Sequence, residues 1–299
     1  MEFQLIERAE LNAQKWDELV ERTPQSSVFS SSFYLDEVSE NWCVLVNENY
    51  TTGLALPYSV RAKRKILYTP IFVSYLEVLG EKPIDYSEFQ TIILAVFKTI
   101  EIEFKQAVLG ESNDRFLVQL LPDNAKRKGQ VNRMLNKVKR AELEIIQATN
   151  WEEVYAIVHA ELVNKFSGMT CSSMKRLFMT YSSAQEKNLL RTFEIRRQTE
   201  CVGGIICIEK NGKLLYSKGA SDTDARDNGG MYAAIDAAIT YASEHELQFD
   251  FGGSRVEGVR RFNVAFGGED LEYYNYRIDN SPHWFRWVRK LKKRWSKKS

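Results

Sequence analysis

The chain has 299 residues, 44% hydrophobic and 27% charged, with 41 Lys and Arg against 40 Asp and Glu. This supplies enough apolar material for two domains or one large one and excludes disordered and collagenous classes. The longest apolar run, Ile92 to Phe97, falls far short of the roughly 20 residues a bilayer span needs. Met1-Glu2-Phe3-Gln4 lacks the basic-then-apolar form of a secretory signal, so a cytoplasmic location is expected.

Cys43, Cys171, Cys201 and Cys207 show no paired ligand spacing, which argues against a zinc site or a redox pair. Cys201 and Cys207 fall on one expected strand, ~20 Å apart at about 3.3 Å per residue and too far for a disulfide. His159, His245 and His283 lie near no nucleophile motif, which disfavours Ser-His-Asp or Cys-His catalysis; no metal is expected either. The near-zero net charge hides an asymmetry. Residues 281–299 carry eight basic side chains and no acid, and removing those eight from the 41 leaves 33 basic against 40 acidic residues in the body.

In chain order, Phe3 to Arg8 reads as a strand and Leu11 to Arg22 as a helix stopped by Pro24. Trp42 to Val46, Thr52 to Tyr58 and Lys65 to Tyr68 read as successive strands. Tyr86 to Phe104 has helical periodicity throughout, and Phe116 to Leu121 reads as a strand ending at Pro122. A basic helix follows, with Val131, Met134, Leu135 and Val138 on one face and seven Lys and Arg residues between 126 and 140 on the others. The second half repeats this order. A strand over Glu142 to Gln147 precedes helices over Trp151 to Asn164 and Met174 to Leu190. Strands over Phe193 to Gln198, Val202 to Glu209 and Lys213 to Lys218 come next, the last two joined by Asn211-Gly212, a tight-hairpin signal. Gly203-Gly204 inside a strand predicts a bulge or a close backbone approach. A helix over Gly229 to His245, a strand over Gln248 to Phe251 and another over Leu271 to Ile278 complete the body.

Two stretches carry candidate chemistry. Asp227-Asn228-Gly229-Gly230 opens an Ala-rich helix whose stripe, Met231, Ile235, Ala238, Ile239 and Ala242, suits packing on a sheet. Uncovered N–H groups at Asn228, Gly229 and Gly230, aided by the helix dipole, can hold a phosphate or polarise a carbonyl. On sequence alone the preferred reading is an ordinary cap by Asp227 or Asn228, with glycine easing the turn. Further on, Phe249-Asp250-Phe251-Gly252-Gly253-Ser254 ends a strand where ligands of mixed α/β folds commonly sit. Asp250 is the candidate catalytic carboxylate, and Arg260 and Arg261 can bind an anion. The alternative makes Asp250 the cap of a glycine turn and leaves the arginines solvated. Tyr216, Tyr273, Tyr274 and Tyr276 are candidate proton donors, but aromatics on a strand more often serve core or edge packing, and none is assigned the role.

The order Gly-Gly-helix, Phe-Asp-Phe-Gly-Gly-Ser, Arg-Phe-Asn-x-x-Phe-Gly resembles the C-terminal half of the Fem-type and BioF2-like acyltransferases of the GNAT superfamily. Trp16, the Pro24 to Tyr34 segment with Phe29, Trp42, Ala55-Leu56-Pro57, Tyr68-Thr69-Pro70 leading to Tyr75, and the basic segment Asn132 to Glu144 extend the resemblance to the first half. It implies an α+β fold of two tandem GNAT-like domains, 1–147 and 148–280, with mixed, mostly antiparallel sheets and a basic tail, 281–299. It also implies transfer of an acyl or aminoacyl group from acyl-coenzyme A or aminoacyl-tRNA to an amine on a cell-envelope, polysaccharide or lipid precursor. The donor would sit near Asn228 to Gly230, with Asp250, Ser254, Arg260, Arg261 and Asn263 around the acceptor. Asn263 departs from the pattern, since many relatives place lysine there, and Arg226-Asp227-Asn228-Gly229-Gly230 is only a loose version of the coenzyme A loop. The donor therefore stays open.

In the tail, Trp284, Trp287, Val288, Leu291 and Trp295 fall on one helical face with Lys and Arg around the rest, a pattern suited to an anionic membrane interface. The alternative is a terminal helix docked on the body. No DNA-binding motif accompanies the basic segments, and RNA enters only as a tRNA donor. A rival reading is a non-catalytic GNAT-fold binding or scaffold protein at the membrane surface, which Asn263 favours.

Overall fold

The computed structural model describes residues 2–81, 85–112, 114–166, 168–253 and 256–280. Ser254 and the expected tail helix lie outside these residues. The chain opens with β1 (Phe3–Glu7) and α1 (Ala13–Arg22). Asn12 starts α1 by accepting the Lys15 N–H at 3.0 Å, and Trp16, Leu19 and Val20 form its buried stripe. A 3-10 turn (Val28–Ser30) and α2 (Ser32–Val38) follow, then β2 (Asn41–Asn47), β3 (Thr52–Arg61), β4 (Arg64–Tyr68) and β5 (Val78–Gly80).

The single helix expected over Tyr86 to Phe104 is two elements, α3 (Ser87–Val96) and β6 (Thr99–Phe104). The backbone turns extended at Phe97, and Ile100, Ile102 and Phe104 bury one face while Glu101 stays exposed. A two-residue alternation hidden beneath an apolar run overrides the helical reading. β7 (Arg115–Leu120), α4 (Gly129–Arg140), β8 (Leu143–Ala148), α5 (Glu152–Lys165) and α6 (Cys171–Glu186) come next. They lead into β9 (Leu190–Arg197), β10 (Glu200–Lys210), β11 (Lys213–Ser221), α7 (Thr223–Asp227), α8 (Gly230–Glu244), β12 (Gln248–Gly253), α9 (Glu257–Ala265) and β13 (Glu269–Asp279). Neither α7 nor α9 is among the elements expected from the sequence.

All of these strands join one mixed, mostly antiparallel sheet in the order β1-β2-β3-β4-β6-β13-β7-β12-β11-β10-β9-β8, with β5 added on β3. Among the described residues only the β4–β6 and β11–β12 ladders are parallel. β13 lies between β6 and β7 and pairs antiparallel with both, so the sheet runs without a break from the first half into the second. Around β10 and β11 the sheet is covered on both faces. α4 and α8 pack over Ile205, Cys207 and Leu214, whereas α5 and α6 pack over Ile206, Ile208 and Leu215.

The Gly-Gly expectation in β10 is met by both devices. The register against β9 shifts between Cys201 and Gly203, and a Cβ on Gly203 would lie 2.5 Å from the Ser221 Cβ. The β10–β11 hairpin turns on Asn211 (φ 51°) and Gly212 (φ 73°). The Asn211 amide also reaches across to the first half, donating to the Val20 carbonyl at 2.9 Å and to Ser26 Oγ at 2.5 Å. Asn211→Ala loses both bonds and places alanine at positive φ, so about 2 kcal/mol of stability should disappear in a urea titration.

The cysteines are all free; Cys43 and Cys207 are buried and Cys171 is exposed. Burial pushes the Cys43 and Cys201 thiols up to about 12. Brief iodoacetamide treatment at mild alkaline pH is therefore expected to modify Cys171 and spare the other three, as peptide mass spectrometry will read.

Candidate functional site

The site begins with a fault in the sheet. Opposite β10, Cys207 faces Tyr216 and Ile206 faces Lys218, leaving Ser217 as an extra residue and β11 bulged. On its other edge β11 pairs with β12 only over Lys213–Gln248, Leu214–Phe249 and Leu215–Asp250. From Tyr216 onward the two strands diverge, and among the described residues no strand covers that edge of β11. Its main-chain groups face the gap.

A cavity of about 250 Å³ lies over this stretch of β11. Tyr216, Gly219 and Ala220 of β11 form its floor, Met231 and Tyr232 of α8 one wall, and Val259 and Phe262 of α9 the other. At the mouth, an Arg226 guanidinium nitrogen lies 3.2 Å from Glu161 Oε1 and donates to the Ser221 carbonyl at 3.0 Å. α8 starts at Gly229 in the left-handed region (φ 89°), with no side-chain cap. The N–H groups of residues 230 to 232 therefore lack intrahelical acceptors, at the positive end of the helix dipole and beside the groove.

The cavity joins the two stretches singled out in the sequence through their neighbours rather than through the named residues. Asn228 donates to the Asp224 carbonyl at 3.0 Å and to Asp224 Oδ1 at 3.1 Å, so it serves α7. Capping of α8 by Asp227 or Asn228 does not occur, because α7 intervenes and a left-handed glycine makes the turn. Gly229 packs on α4, where a Cβ would lie 2.6 Å from the Met134 carbonyl oxygen, and Gly230 packs against Ala225 and Ile195. Arg260 pairs with Asp270, with Nε at 3.0 Å from Oδ2, and Arg261 is exposed with Glu257 at 3.8 Å. Asn263 is fully buried and donates to Gln119 Oε1 at 3.0 Å. These contacts fix α9 on β7 and β13.

Asp250 lies deeper, where the two halves meet. It is 1% exposed, accepts the Gly252 N–H at 2.7 Å, and lies 3.5 Å from the Tyr75 hydroxyl. Gly252 adopts φ 67°, the glycine turn that the sequence offered as an alternative. Burial raises the Asp250 carboxyl against the opposing charge of buried Lys213, and burial in turn lowers the Lys213 ammonium. Glu77 completes the cluster. It is 3% exposed, accepts the Ser27 N–H at 2.5 Å and pairs with Lys105 at 2.8 Å. Two acids and two lysines thus neutralise one another inside the junction. The Tyr75 and Tyr273 rings meet edge-on at 4.6 Å beside them, and burial raises both phenols.

Away from the groove, Glu153, Glu194 and Cys201 bring potential ligand atoms within 4.8 Å of one another. Glu194 is already held by Arg196 at 3.0 Å, and burial keeps the Cys201 thiol protonated, so the cluster is explained as an ion pair with a neighbouring thiol. Sequence reasoning missed Gly219, Tyr232, Val259 and Phe262. It took Met231 for a core residue, and the bulge carries no glycine or proline to announce it.

No family model matches the sequence, and no curated protein matches it. The structure is similar to FemX, with a TM-score of 0.61 at 13% identity over 93% of this chain and 98% of that one. It is also similar to the C-terminal domain of a candidate lysylphosphatidylglycerol synthetase from Agrobacterium fabrum, with a TM-score of 0.60 at 11% identity over 90% and 92% of the two chains. L-PGS from Bacillus licheniformis gives 0.60 at 11% identity over 92% and 94%. The chain therefore shares the fold of FemX and of these lysylphosphatidylglycerol synthetase structures. Among the described residues no helix is long and apolar enough to cross a membrane.

Proposed function

We propose that the protein is an N-acyltransferase. In this reading the groove over β11, between α8 and α9, takes the arm of an activated donor, an acyl thioester of coenzyme A or an aminoacyl ester of tRNA. The carrying observation is the bulged strand that parts from its neighbour directly beside the uncapped start of α8, which supplies free main-chain amides to a largely apolar slot. Amides fixed by strand and helix need no reorganisation to stabilise a carbonyl oxygen as it gains negative charge. The acceptor amine attacks that carbonyl carbon, the bond from carbon to the carrier's sulfur or oxygen breaks, and the proton lost by nitrogen ends on the leaving group. FemX and the lysylphosphatidylglycerol synthetase neighbour support an acceptor in the cell envelope or a lipid, while a polysaccharide precursor rests on the sequence resemblance alone.

Within this reading Asn228, Gly229 and Gly230 act by fixing the path into α8, and Asp250 by holding the glycine turn in β12. Arg260 and Asn263 steady α9, while Arg261 is exposed and available to a substrate; Ser254 lies outside the described residues. The neighbourhood of the groove favours a polyanionic donor. Tyr232 in its wall accepts a hydrogen bond from Gln130 of α4 at 2.9 Å. The rest of α4 and its approach expose Lys126, Lys128, Arg133, Lys139 and Arg140. Exposed cations in that number suit a nucleic-acid backbone better than a single nucleotide. Equilibrium binding of acyl-coenzyme A and of mixed aminoacyl-tRNA to the purified protein tests the proposal, and binding of neither would end it.

The scaffold reading keeps one observation in its favour. Asn263 stands where the Fem-type resemblance implies lysine in many members, and its buried amide points to Gln119 rather than to the groove. Attachment to an anionic membrane through 281–299 belongs to both readings, and liposome flotation with and without that segment tests it; equal flotation would remove it.

A further inference from the structure

The bulge that opens the groove on one face of the sheet delivers a cation to the other. Ser217, the extra residue, has its Oγ 2.9 Å from the Tyr181 hydroxyl of α6. Lys218 stands opposite Ile206, which belongs to the core under α5 and α6. Ser217 and Lys218 are therefore consecutive side chains on the same face, away from α8 and the donor groove. The loop after β4 closes over this place from the first half. The Phe72 ring centre is 5.6 Å from Lys218 Nζ, and Ser74 Oγ approaches within 3.8 Å of the position a Cβ on Gly252 would take.

Lys218 has been left electrostatically incomplete. Its Nζ donates to the Ser217 carbonyl at 2.8 Å, which engages one of the three donors of an ammonium. Among the described residues no carboxylate pairs with it, and burial alone lowers it to about 8. The contrast with the junction is direct, because Lys105 and Lys213 each have an acid beside them. A largely buried ammonium without a counter-charge is costly, and an incoming anion relieves that cost.

We propose that Lys218 anchors an oxyanion subsite on the face of the sheet opposite the donor groove, taking a carboxylate or phosphate of the acceptor substrate. Held there, an acceptor bearing both an acidic group and an amine can present the amine through the parting of β11 and β12. Only the word acceptor rests on the acyl-transfer reading; the anion site stands on its own geometry.

Protein labelled with 13Cε-lysine provides the test, the Lys218 resonance being assigned by its loss in Lys218→Met. Titration with inorganic pyrophosphate and, separately, with succinate should move that resonance saturably in at least one arm; a response to pyrophosphate alone marks a phosphate site, to succinate alone a carboxylate site. By calorimetry, Lys218→Arg should keep the affinity for the responding anion within about three-fold, and Lys218→Met should weaken it roughly ten-fold or more. No saturable shift with either anion, or an unchanged affinity in Lys218→Met, overturns the proposal. Neither arm contains a donor, so failure of acyl transfer and failure of this subsite are read separately.

Discussion

Val259→Trp should cut kcat/KM for acyl transfer by about a hundred-fold, equivalent to ~2.7 kcal/mol of lost transition-state binding, while leaving the unfolding midpoint nearly unchanged. Val259 is 39% exposed on α9, and its outward position leaves a larger side chain room to turn without entering the core. The same residue forms a wall of the cavity of about 250 Å³ opposite Met231. An indole there occupies the space the donor arm requires, and helix propensity changes by only a few tenths of a kcal/mol. Direct titration of the donor that binds the unmodified protein checks the result. An unaltered donor affinity in a folded Val259→Trp protein would move the site elsewhere.

Asp250→Ala carries the second large effect, and it is one of stability. The substitution strands Lys213, 4% exposed, without its nearest opposing charge, and it releases the Gly252 N–H. Removing one partner of a buried pair costs about 3–5 kcal/mol, whereas replacing both with apolar groups is often neutral. Asp250→Leu combined with Lys213→Met is thus expected to recover most of the stability lost in Asp250→Ala. A urea titration of the single and double variants measures both. If the single variant proves as stable as the parent, the junction charges do not depend on one another. The comparison also bears on any loss of activity in Asp250→Ala, because a double variant that regains stability without activity separates a chemical role from a structural one.

The sequence is most legible where local chemistry decides the backbone. Asn211-Gly212 fixes a hairpin because few other pairs accept two left-handed residues in succession, and α4 announces itself through four apolar residues on an otherwise cationic helix. The strand β6 is misread because Ile92 to Phe97 and Ile100 to Phe104 form one apolar stretch, in which two-residue alternation begins only after Phe97. The helix α9 hides behind Gly252, Gly253 and Gly258, which suggest a loop. The site itself is the least legible part. The bulge at Ser217 exists only by comparison with the register of β10, and Tyr75 meets Asp250 across 175 positions of chain. Single-sequence periodicity contains neither kind of information. Asp250 and the Arg260 to Asn263 segment were noticed for their chemistry, but whether such groups face a cavity or a buried partner is settled by tertiary packing.

The placement of β13 has a bearing on biogenesis. β6 and β7 are translated early, yet the strand that lies between them is made almost 150 residues after β7. Until Glu269 to Asp279 has left the ribosome, each offers an unsatisfied row of amides and carbonyls to any passing strand. A chain arrested before Glu269 should therefore depend on chaperones in a way that the finished protein does not.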